Sequence, residues 1–163
     1  MNRNLLLESQ QISLFEPIYS MHSAAVAPLF VEPALLNPST DTDVFSEISL
    51  SGSAQQCLQL IAPILRDLSE DEKDRWLTLI SPPQQITAQW LRNAGLNRER
   101  ILVLRPRGLQ SSQELACEAL RLGCSHTVIS WFNPLPNAAQ AQLVNAARAG
   151  AAQSLNIRQP FTI

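Results

Sequence analysis

Apolar and polar positions along this 163-residue chain change their rhythm near residue 43. Before Asp43 no period survives. Pro17, Pro28, Pro33 and Pro38 are scattered among Ser, Thr and acidic residues, and Leu14, Phe15, Ile18, Tyr19, Leu29, Phe30 and Val31 recur at no fixed spacing. Residues 1–43 are therefore expected to form a loosely ordered arm, apolar enough in places to dock on a domain or a partner. From Val44 onward, short β-type runs alternate with amphipathic stretches. The runs Val44 to Leu50, Trp76 to Ile80, Ile101 to Leu104, Thr127 to Phe132 and Leu155 to Ile157 predict strands, and the nearly continuous apolar character of the middle three suits a parallel sheet covered on both faces. Helices are predicted at Ala54 to Leu68, with Pro63 kinking or interrupting it, and at Gln84 to Ala94, Ser111 to Leu122 and Asn137 to Ala149. Ser111 with Glu114 has capping-box spacing, as does Ser69 with Glu72. The expectation is one α/β domain over residues 44–163, an open, mostly parallel sheet flanked by helices.

The five glycines test whether such a frame holds a nucleotide. Gly95, Gly123 and Gly150 each follow a predicted helix, where a left-handed residue is wanted. Gly52 falls in a strand-to-helix turn and Gly108 in the loop after Arg105, so no phosphate loop can be assembled. The lone lysine, Lys73, stands in an acidic run far from any such loop. No cofactor is expected.

Composition narrows the remaining classes. A formal charge of -2 and a pI near 5.6 give no general attraction for nucleic acid. No apolar run is long enough to span a membrane, and Met1 to Leu7 lacks a charged n-region feeding a long apolar stretch and a small-residue cleavage site, so a cytoplasmic protein is expected. Cys57, Cys117 and Cys124 are odd in number and suit reduced thiols. With His22 and His126 they show no zinc-site spacing, and no metal is expected. Cys124 and His126 are two apart, which in a strand would place them on one face, but no Asn or Asp is evident to orient a thiolate and imidazole pair. Asp67, Glu70, Asp71, Glu72 and Asp74 are mixed with Arg66, Lys73 and Arg75 and read as a solvated turn. More informative is the basic stretch with Arg92, Arg98, Arg100, Arg105 and Arg107 against Glu99, which is either a solvated loop or a patch for an acidic partner. Trp76 and Trp131 fall within predicted strands and read as core or core edge. Trp90 lies on a helix with Ile86, Leu91 and Ala94, and spacing fits it equally to core packing and to an interface anchor.

The run Arg75-Trp76-Leu77-Thr78-Leu79-Ile80-Ser81-Pro82-Pro83-Gln84-Gln85, followed by Trp90 and Ala94-Gly95-Leu96, resembles the central segment of the SulA family. The resemblance continues through Leu120-Arg121-Leu122-Gly123, Val128-Ile129-Ser130-Trp131 and Leu143 to Gly150, and closes at Ile157-Arg158-Gln159-Pro160. It implies a RecA-like α/β fold without the nucleotide motif, and a protein of the SOS response to DNA damage that binds FtsZ and stops septation. Four positions carry over as partner-binding: Arg75 and Trp90 match in type, while Ile80 stands where the family has Leu and Arg100 where it has Lys. The implied mechanism is steric. The inhibitor covers the FtsZ face bearing the synergy loop, with Ile80 and Trp90 as apolar anchors and Arg75 and Arg100 supplying charge complementarity. The family also implies a homodimer. Members can carry a C-terminal extension read by the Lon protease, whereas this chain stops at Phe161-Thr162-Ile163, which leaves open whether Lon reads it. The alternatives are a degenerate RecA-like nucleotide-binding module and a small hydrolase using Cys124 and His126. On the main reading the chain is not an enzyme.

Overall fold

A computed structural model describes residues 44–70 and 74–159. The arm expected over 1–43, with His22, and most of the turn expected around Ser69 and Glu72 lie outside the described residues. Strands β1 (Phe45–Ser49), β2 (Trp76–Ile80), β3 (Ile101–Leu104), β4 (Ser125–Ser130) and β5 (Gln153–Arg158) form one sheet in the order β1-β5-β4-β2-β3. Every pairing is parallel. Between them run α1 (Ala54–Ser69), α2 (Ala88–Asn93), α3 (Ser112–Arg121) and α4 (Asn137–Ala149), with a 3₁₀ turn at Arg98–Arg100 leading into β3. The fold is the expected α/β sheet flanked by helices.

Each helix follows from its own sequence, with corrections at the ends. Ser53 and Gln56 close a capping box at the start of α1, and Ser111 and Glu114 do the same for α3. Pro63 does not interrupt α1. It sits on the exposed side, where the carbonyl it leaves unpaired can turn to water. Helix α2 begins later than its apolar spacing predicts, because Thr87 accepts from the Trp90 amide and makes itself the cap. Ser69 ends α1 rather than opening a new turn, its hydroxyl donating to the Arg66 carbonyl. Strand β4 begins two residues earlier than predicted, since Ser125 and His126 are buried, Ser125 against the Thr78 hydroxyl at 2.7 Å.

Gly150 corrects another expectation. Its φ is -94°, and Ala151 takes the left-handed conformation at φ 48° instead. Glycine is required there by contact: a Cβ on Gly150 would stand 1.7 Å from the Leu120 carbonyl oxygen, because the ends of α3 and α4 meet backbone to backbone.

Alternation along the strands divides the core in two. Leu77, Leu79, Ile129, Leu155 and Ile157 face α1 and α2, with Cys57, Ile61, Leu65 and Leu91 beneath them. Ile80 and Val128 face α3 and α4, among Ala116, Cys117, Leu120, Leu143 and Val144. Burial pushes the Cys117 thiol pKa up, with Arg121 opposing it more weakly. At the carboxyl ends a buried Asn156 ties three strands together. Its Oδ1 accepts from Ser130 Oγ and the Phe132 amide, and its Nδ2 donates to Glu47 and to the Phe132 carbonyl.

Candidate protein-binding surface

Arg75 stands at the amino end of β2, half-buried, and its guanidinium is aimed inward. Nη1 donates to the carbonyls of Gly123 at 3.3 Å and Gly150 at 3.2 Å, and Nη2 to Ala151 at 2.6 Å. These carbonyls lie in the turns just past α3 and α4, close to the partial negative charge at the helix carboxyl ends, which suits a cation. Arg75 thereby clasps both helix ends to the sheet, and its charge faces the chain's own backbone.

Trp76 follows, outside the clasp and 42% exposed. Its amide donates to the Cys124 carbonyl, which places it beside the turn after α3, where Leu122 is 67% exposed. The pairing of Leu77 with Ile101 sets the 3₁₀ turn ending in Arg100 next to the start of β2. The amino-end rim of β2 and β3 thus presents an exposed tryptophan, an exposed leucine and arginines. Trp76 was expected in the core or at its edge. Strand alternation cannot distinguish the first residue of a strand, which overhangs the helices, from those they cover.

The other predicted positions separate. Trp90 is half-buried on α2, against the core cluster of Leu91 and Leu96. Helix α2 runs back toward the same rim and ends at Ala94, whose carbonyl accepts two N–H bonds from Arg66. Ile80 lies at the opposite end of β2, on the other face of the sheet and 0% exposed. It has no surface with which to anchor a partner, because it packs beneath α3 and α4. The basic stretch is also divided: Arg98 and Arg100 precede β3, while Arg105 and Arg107 follow it, Arg105 donating to the Pro82 carbonyl.

The sites for other chemistry are closed or apart. At the start of α1 the Ser53 amide is met by the Gln56 side chain and the Gln56 amide by the Ser53 hydroxyl. At α3 the Glu114 carboxylate accepts the Ser111 amide, which would repel an anion. Cys124 is exposed and turned to the Leu122 carbonyl, while His126 is buried with Nδ1 against Thr127. Among the described residues, no group of three His, Cys, Asp or Glu could hold a metal ion, and no helix is long and apolar enough to cross a membrane.

Fold and rim together define a parallel α/β domain with an aromatic and arginine-bearing surface suited to contact with another protein. A family model described as cell division inhibitor SulA matches residues 43–154, and the chain belongs to that family. It is 51% identical over 156 residues to the cell division inhibitor SulA of Pseudomonas aeruginosa, across 93% of this chain and 95% of that protein. The SulA of Yersinia pseudotuberculosis is 30% identical over 126 residues, 77% of this chain and 74% of that one. A crystal structure of SulA from P. aeruginosa superposes with a TM-score of 0.68 at 60% identity, over 71% of this chain and 98% of the solved one.

Proposed function

We propose that this chain arrests septation by binding FtsZ at the face that carries its synergy loop, so that the next FtsZ subunit cannot add. Its production would follow DNA damage as part of the SOS response, and its place of action would be the cytoplasm. What carries this reading is the match, over 93% of the chain at 51% identity, to a protein named as a cell division inhibitor. The rim supports it. Exposed Trp76 and Leu122 supply apolar area at the amino ends of the strands, and the half-buried Trp90 and Arg100 extend the surface toward α2 and β3. Arg75 works as a positioning residue, holding the turn that displays Trp76 and Leu122. Ile80, wholly buried, stays out of the contact and shapes the far end of β2.

Sedimentation of FtsZ polymer formed with GTP tests the proposal. The pelleted fraction should fall as this protein is added and approach zero once the inhibitor is in excess. An unchanged pellet at several-fold excess would remove FtsZ as the target.

A further inference from the structure

Helix α2 has six residues, about half the length at which a helix holds its shape unaided in water, so its position is set by what it touches. Leu91, and Leu96 beyond its end, are buried and press it onto the sheet. Apolar burial has no direction of its own and leaves the helix free to turn or slide over that face. Direction comes from the two ends. Thr87 caps the first, accepting the Trp90 amide at 3.0 Å.

The second end is closed in two stages. Gly95, at φ 72°, turns the chain so that its own amide reaches the Arg92 carbonyl and the Leu96 amide reaches the Leu91 carbonyl, a Schellman closure. The Ala94 carbonyl remains, and Arg66 of α1 takes it with Nε and Nη2 together. The guanidinium lies against Gly95, where a Cβ would stand 3.6 Å from Nε. Three residues further along α1, the Ser69 hydroxyl accepts the Asn97 amide at 3.4 Å. The last turn of α1 thus fixes where α2 ends and where the 3₁₀ turn Arg98–Arg100 begins.

Trp90 lies between those clamps and Arg100 just beyond them, and these are the two proposed contact residues on the α2 side of the rim. Arg66 itself is exposed, where water offers the same hydrogen bonds and a protein bond adds little to stability. Its effect is directional instead. A contact surface ordered in advance spares the partner the entropy of ordering it on arrival. We infer that Arg66 is a positioning residue for the FtsZ contact, holding α2 and the turn after it so that Trp90 and Arg100 are presented on one rim with Trp76. The inference rests on the septation reading, and its test tells the two apart.

Arg66→Ala and Arg66→Lys, each in the full chain, are compared with the parent by FtsZ pelleting, thermal melting and amide hydrogen exchange. Arg66→Ala should lower the melting temperature by no more than about 4 °C and quicken exchange at the Gly95 and Leu96 amides by about tenfold. The concentration needed for half-inhibition should rise by about fivefold. Both Arg66 donors share one acceptor, so a single ammonium can replace them, and Arg66→Lys should recover most of the inhibition and of the protection. An Arg66→Ala chain that inhibits as the parent does would overturn the inference, as would a loss of inhibition that only tracks the unfolded fraction. Unchanged exchange at Gly95 and Leu96 would overturn it too, because the clamp would then not be what holds the end of α2. Inhibition absent from the parent itself would instead sink the septation reading, and with it any part for Arg66 in the contact.

Discussion

Arg75 binds carbonyls that are 48, 75 and 76 residues away in sequence, and its three bonds are the local reason that α3 and α4 finish at the same place. Truncation to Ala would strand the Gly123, Gly150 and Ala151 carbonyls at a half-buried site. We expect a loss of about 2 kcal/mol in urea unfolding, with Lys restoring less than half because a single ammonium nitrogen replaces the two guanidinium nitrogens that reach the separate carbonyls. An unfolding midpoint unmoved in Arg75→Ala would return this side chain to a direct role at the interface. Gly150 belongs to the same junction. Gly150→Ala puts a methyl group into the Leu120 carbonyl, and the helix ends must part to admit it. About 3 kcal/mol of destabilisation is expected by the same measurement, and a near-neutral result would show that α4 can shift without cost.

At the scale of elements, the start of α3 depends on charge. The Ser111 amide and then the Ser111 hydroxyl bond the Glu114 carboxylate and hold its pKa below the ordinary 4.5. A depressed carboxyl pKa stabilises the fold above the unfolded value, and that contribution disappears as pH falls from 4.5 through the lower folded value. Glu114→Gln keeps an acceptor but not the charge. Its melting temperature should lie below that of the parent near neutrality and converge with it on acidification, and a gap constant with pH would contradict the capping charge. The same boundaries show which parts of the fold were legible in the sequence. Helix α4 and strands β2 and β3 appear where the apolar pattern puts them, because continuous apolar runs and an Ala-rich amphipathic stretch leave few alternatives. The start of β4 does not, since Ser125 and His126 look polar in sequence yet are buried, Ser125 against a Thr78 hydroxyl that only the fold brings to it. The left-handed turn falls on Ala151 rather than Gly150 for a similar reason: the close approach of another helix claimed the glycine.

For the whole molecule, the question is which tryptophan meets the partner. Residue type and resemblance select Trp90, and they select Arg75 and Ile80 beside it. On the proposed reading burial redistributes those roles, because sequence carries no record of which end of a strand overhangs its helices. Trp76 begins β2 at the uncovered rim, 42% exposed, whereas Trp90 packs in part against the core beneath α2. The two substitutions should therefore differ in kind. Trp76→Ala should keep the melting temperature of the parent and lower the inhibition of FtsZ polymerisation by about tenfold or more, as loss of an exposed aromatic anchor does. Trp90→Ala opens a void in the α1 and α2 face and should lose stability by about 2 to 3 kcal/mol as well as inhibition. Measured together, unfolding midpoints and FtsZ pelleting separate the two effects. Full inhibition by a stably folded Trp76→Ala would move the contact off the amino-end rim and onto α2 and the arginines ahead of β3.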